Sequence, residues 1–193
     1  MTRPFKERGF TLARADHSTR VLVTAFLLCV IIGIGVAIAQ YAGRAGGLGP
    51  RHAVEWIHGN ETDFDATVLR VAKSRAELLA FTHDHVFSLA MLLFVVLHLV
   101  QLTPHRSRTK IGLTVLGFGG LLGTLGAPWL IGPGDDSLRP PLLIASGSAV
   151  LLSLLLGSLA TLHEMWSAPL WRRRRRIPEP PPPDPMFPGS ERP

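Results

Sequence analysis

The sequence predicts an all-α membrane protein: a four-transmembrane-helix bundle with one larger outer loop. Three observations carry that prediction. Hydrophobic residues make up 47% of the 193-residue chain, too many for an ordinary soluble domain with a single core. They gather into four runs, Val21–Ala39, Val86–Leu102, Ile111–Ile131 and Leu142–Leu162, none of which holds an Asp, Glu, Lys or Arg. Each run is about 17–21 residues long, and roughly 20 helical residues cross a hydrocarbon core of ~30 Å. The third observation is the placing of the basic residues. Five precede the first run, three lie in Thr103–Lys110 and six follow Trp171, against five in Gln40–His85 and one, Arg139, in Gly132–Pro141. That bias puts both termini and the short middle loop in the cytoplasm.

The expected organisation follows. Residues 1–20 form a basic cytoplasmic segment, 21–166 a four-helix membrane domain including the outer loop 40–85, and 167–193 a basic, Pro-rich cytoplasmic tail. The setting is the bacterial inner (cytoplasmic) membrane, crossed several times. The sequence pI near 10.7 is largely this topology signal. The Arg172–Arg176 run begins about ten residues after the last span, where a polybasic block meets anionic head groups rather than nucleic acid.

The first span carries Ala37-Ile38-Ala39, which resembles a signal-peptide cleavage site. Its apolar run exceeds the usual 7–15-residue signal core, so the expectation is an uncleaved anchor. Cys29, at its middle, reads as a buried, inert thiol, and a single cysteine excludes a disulfide within the chain.

In the outer loop, Gly43, Gly46, Gly47, Gly49 and Pro50 make a flexible entry. The segment from Arg51 to His58 reads as a short amphipathic helix with Trp56 as an interfacial anchor, stopped by the Gly59-Asn60 turn signal. Ser74-Arg75-Ala76-Glu77 fits a capping box, so the second membrane helix starts there. Run to Gln101 it spans about 27 residues, ~40 Å, and projects two or three turns beyond the bilayer core. The third span holds a Gly119-to-Gly123 step with Gly112, Gly117 and Gly126 nearby. In the fourth, Ala145, Ala149, Ser153, Gly157 and Thr161 recur every four residues. Small residues at that spacing allow close backbone approach between membrane helices.

Gly59-Asn60-Glu61, Lys73-Ser74-Arg75-Ala76-Glu77-Leu78-Leu79 and Thr82-His83-Asp84-His85 together carry a resemblance. The chain looks like a group of bacterial inner-membrane proteins with four predicted spans and a Thr-His-x-His element at the head of the second. The likeness covers roughly Thr19 to Trp166 and implies architecture without supplying a reaction.

Histidines in a membrane helix mark functional positions, because an imidazole is costly to leave in lipid. Three readings follow. In the first, His98 and His163 bind haem b: both helices run inward, and the two residues lie eight and nine positions before Arg106 and Arg172, at similar depth. In the second, His83, His85, His58, Glu61 and Asp84 supply an outer-side zinc or copper site. His83 and His85, two apart, point about 160° away from each other, whereas His83 and His98 fall within about 60° on one face. In the third, the chain is an accessory subunit or assembly protein whose outer His/carboxylate cluster serves contacts. The third is the best-supported reading, with the cofactor left open between haem b and a transition metal. Expected partners are the lipid bilayer and either another membrane protein or further copies of the chain, with no nucleic acid. No nucleophile–base order, phosphate loop or paired membrane carboxylate suggests an enzyme acting alone. The few polar residues in the spans do not make a transport path.

Overall fold

The computed structural model describes residues 12, 15–45, 49–61, 63–64, 68–131 and 139–174. Gly46 and Gly47 of the loop entry, Arg175 and Arg176, most of the segment 1–20 and the Pro-rich stretch 177–193 lie outside them. The described residues form five helices and no strand: α1 (His17–Ala45), α2 (Pro50–His58), α3 (Arg75–Gln101), α4 (Ser107–Leu130) and α5 (Arg139–Arg174). Within them, His17–Gly43, Arg75–Gln101, Ser107–Leu130 and Arg139–Ser167 are long and apolar enough to cross a membrane. The four-span architecture is therefore as the sequence predicts. Each of these four helices is longer than its apolar run, α5 most of all, since a helix need not stop where the hydrocarbon does.

Each start has a local cause. Asp16 caps α1, its carboxylate accepting from the Thr19 amide and hydroxyl. Pro50 opens α2 at a position where its missing N–H is no loss. At α3 the capping box forms as expected: Glu77 N–H donates to Ser74 Oγ at 3.2 Å and Ser74 N–H to Glu77 Oε2 at 2.8 Å.

α5 is the hub, packing against α1, α2, α3 and α4, with its most extensive seam on α4. Small residues make that seam. A Cβ at Gly120 would stand 2.7 Å from the Ser146 carbonyl oxygen and 3.0 Å from Ala149 Cβ; one at Gly123 would stand 2.7 Å from Ser146 Cβ. At Gly117 it would meet Leu93 and Ser153, both at 2.8 Å. The working spacing on α4 is thus 117–120–123, and Gly119 faces open space. Gly123 of the predicted Gly119-to-Gly123 step is in the seam, while Gly119 is turned away, about 100° round the helix from Gly120. On α5, Ser153, Gly157 and Thr161 are buried as the stripe predicts; Ala145 at its end is exposed. Ser153 Oγ–H closes the seam by donating to the Leu113 carbonyl at 2.8 Å.

α1 differs. It contributes Leu27, Val30 and Ile34 to the shared core, while Leu22, Leu28, Ile32 and Val36 face outward. Cys29 is also exposed, contrary to the expected burial, because α1 meets its neighbours along one narrow edge. Trp166 Nε1–H donates to Thr24 Oγ1 at 3.2 Å across that edge.

Candidate functional site

Two arrangements of functional side chains stand out, one on the cap between α1 and α3 and one along α3. The cap begins with α2, which buries Ala53 and Ile57 against the bundle. Its stop is backbone-driven: Gly59 takes a φ of 74°, and a Cβ there would lie 2.7 Å from both the Ala72 nitrogen and the Arg70 oxygen. The chain then returns alongside itself. Lys73 N–H donates to the Ile57 carbonyl at 2.8 Å and Asn60 N–H to the Arg70 carbonyl at 3.0 Å. The Asn60 amide side chain brackets the same segment, donating to the Val68 carbonyl at 2.9 Å and accepting from Arg70 N–H.

Glu55 holds the cap electrostatically. It accepts from Arg70 Nη1 at 2.8 Å and Arg51 Nε at 2.9 Å, with His52 Nδ1 at 3.4 Å, and Arg51 reaches on to Asp63 at 2.9 Å. Glu55 and Arg70 are largely buried, at 16% and 13% side-chain exposure, so this pair is shielded from much of the solvent screening that weakens surface pairs. Trp56 packs edge-on against Phe81 at 5.2 Å, with the Lys73 ammonium over its ring. His58 Nε2–H donates to the Ile131 carbonyl at 2.8 Å and Trp129 Nε1–H to Thr82 Oγ1 at 3.1 Å. These bonds tie the cap and the head of α3 to the end of α4. Among the described residues no three His, Cys, Asp or Glu side chains converge to hold a metal ion. His58 spends its Nε2 proton on a carbonyl, Glu61 is exposed on its turn, and His83 faces out beside Asp84 at 3.5 Å. His85 is turned the other way, half-buried, with Nδ1–H on the Phe81 carbonyl at 2.8 Å.

The second arrangement is a face. α3 turns Leu93, Val96, Leu97 and Val100 into the core. Its opposite side shows His83, Phe87, Met91, Phe94 and His98, all exposed and confined to an arc of about 80°. The end pairs are in ring contact: His83 lies edge-to-face with Phe87 at 5.5 Å, and His98 stacks on Phe94 at 5.8 Å. His163 on α5 is exposed too, so His98 and His163 both stand at the surface of the bundle. The predicted 60° relation between His83 and His98 is what the structure shows. Phe87, Met91 and Phe94 between them fall on the same arc at 100° per residue, a signal the sequence itself holds. The Glu55–Arg70 pair had no such signal, because a 15-residue separation across an irregular turn has no period.

A family model described as a transmembrane helical domain matches residues 47–175, taking in α2 to α5 and leaving α1 outside. No curated protein and no solved structure matches the chain.

Proposed function

The chain belongs to the Aq_1264_TM family of transmembrane helical domains, and from that premise we propose that it acts as an accessory or assembly subunit, docking a partner's transmembrane helix on the outward face of α3. One observation carries this reading: two histidines bound an exposed Phe/Met face on a helix that crosses the bilayer. His83 and His98 are about 22 Å apart along the axis, less than the ~30 Å hydrocarbon thickness, so at least one imidazole lies at hydrocarbon depth. Such a group is normally turned inward or paired; on this face a partner helix is what would cover it. Aromatic rings and a flexible methionine suit a contact surface that must fit another helix. The excess of Lys and Arg supports an orientation with both chain ends on the cytoplasmic side of a bacterial inner membrane and the cap on the other.

A photo-reactive residue at Met91, in native membranes, tests this directly. Discrete adducts with one polypeptide are expected there and at Phe87, with none at Ile32 on the outward side of α1. Adducts with lipid alone at all three positions would remove the docking role. A reduced absorption spectrum with sharp α and β bands, lost in His98→Ala, would replace it with a b-type cytochrome. Labelling of Ser190→Cys in a Cys29→Ala background by an impermeant reagent in spheroplasts would reverse the orientation.

A further inference from the structure

The segment between the Asn60 turn and α3 is inside out. Leu69 and Val71 are 68% and 67% exposed, and Val68 is 57% exposed. Between and beyond them the cations turn inward: Arg70 onto Glu55, and Lys73 over the Trp56 ring. A soluble loop places such residues the other way round, since exposed apolar side chains in water lose what their burial would contribute, about 25 cal/mol per Å².

Its position explains the inversion. Trp129 bonds to Thr82 and Trp56 packs on Phe81, an aromatic belt that sets the membrane–water boundary near Thr82. Ser74 is eight residues earlier, about 12 Å further along the helix axis, and the interfacial zone beyond the hydrocarbon is ~5–8 Å deep on each side. Residues 68–73 turn back from that height: Lys73 bonds to Ile57 and Asn60 to Arg70, and His58 on the Ile131 carbonyl holds the cap down against the end of α4. Apolar exposure continues into the first turns of α3, where Leu79 is 60% exposed. Exposed Arg75 beside them is a cation that anionic lipid head groups attract.

We infer that residues 68–71 form a foot that inserts Val68, Leu69 and Val71 into the head-group region of the bilayer, making the cap an interfacial element. The occupant of this surface is lipid. The backbone bonds to Ile57 and Asn60 and the Arg70–Glu55 pair hold the segment rigid, so the apolar side chains are presented without further ordering cost.

The test places an environment-sensitive fluorophore on Val71→Cys in a Cys29→Ala background, with the full chain reconstituted in phosphatidylglycerol-containing vesicles. The same label on Leu69→Cys repeats it, and on Glu61→Cys it provides the water-facing reference. Blue-shifted emission at 69 and 71, with quenching by shallow spin-labelled lipid several-fold stronger than at 61, is the expected result. Quenching by iodide at all three positions alike would overturn the inference. Protection from both quenchers at 69 and 71 would also overturn it, because protein would then cover the segment. Both substituted side chains are largely exposed, so the fold is expected to survive, and unchanged circular dichroism checks that it does.

Discussion

α1 and α4 are both membrane helices, and they occupy opposite extremes of the same bundle. α1 carries the most apolar window of the four spans, yet only 17% of it is buried; the α4 window is the least apolar and 39% is buried. In water the ranking would run the other way. In lipid a leucine gains little by leaving the chains for the protein, so apolarity says that a helix crosses and not what it touches. What distinguishes α4 is side-chain size. Gly117, Gly120 and Gly123 let it approach α5 until backbone meets backbone, whereas Gly33 and Gly35 of α1 face no neighbour within 4 Å. Close approach adds dispersion contacts and a bond such as Ser153 to Leu113, and those decide the packing.

The contrast can be broken most forcefully at Gly120. Gly120→Leu forces a side chain against the α5 backbone and is expected to separate α4 from α5, costing well over the ~1–3 kcal/mol of ordinary overpacking. Gly119→Leu, one position away in open space, is the matched control and should unfold in detergent as the parent does. Equal losses in thermal unfolding would show that the register of the seam is wrong.

Next in size is the cap. Arg70→Ala leaves the Glu55 carboxylate largely buried with Arg51 as its remaining close cation, a change of about 1–3 kcal/mol for the lost charged hydrogen bond. Its readout is faster amide exchange across residues 57–73, with exchange in α4 and α5 unchanged. Uniform protection after the substitution would mean that the backbone bonds alone hold the cap.

Ser153→Ala sharpens the comparison at the scale of a single bond. Interhelical hydrogen bonds in membranes average about 0.6 kcal/mol, so a small loss is expected, distinguishable from Leu22→Ala on the outward side of α1, which should lie within about 0.5 kcal/mol of zero. A larger loss at Leu22 than at Ser153 would place a partner, and not lipid, against α1.

The smallest effect concerns the start of α1. The hydroxyl and amide of Thr19 hold the Asp16 carboxyl below the usual carboxylate range. A group depressed in the folded state stabilises it above the unfolded pKa and loses that contribution as pH falls through the lower folded value. Amide exchange in the first turn of α1 should therefore quicken in acid, below the ordinary Asp range, and Asp16→Asn should flatten the response. An Asn variant with the same acid dependence would assign it to another group.

Much of this was legible beforehand, for reasons that differ by element. The spans, the α3 capping box and the stop at Gly59 are local: a run of apolar residues, a Ser three residues before a Glu, a glycine free to take positive φ. The shared face of His83 and His98 was also legible, because helical geometry is periodic. The seam was half legible. Small residues at four-residue spacing announced close packing, but which glycines meet α5 depends on how α4 is rotated about its own axis. The burial of Cys29 was misjudged for the same reason, since nothing in an all-apolar helix marks its inward side.

By itself, then, the sequence determined that this chain has four helices able to cross a membrane, where α3 begins, and which residues share a helix face. These follow from lengths, caps and a 3.6-residue period, all set by neighbours along the chain. Only the tertiary structure decided that α5 is the hub, that Gly120 and not Gly119 meets it, that Arg70 folds back onto Glu55, and that the His83–His98 face looks outward. Lipid solvates every apolar side chain about equally well, so hydropathy cannot rank one helix face above another. That choice rests on shape and on the few polar bonds that join distant parts of the chain.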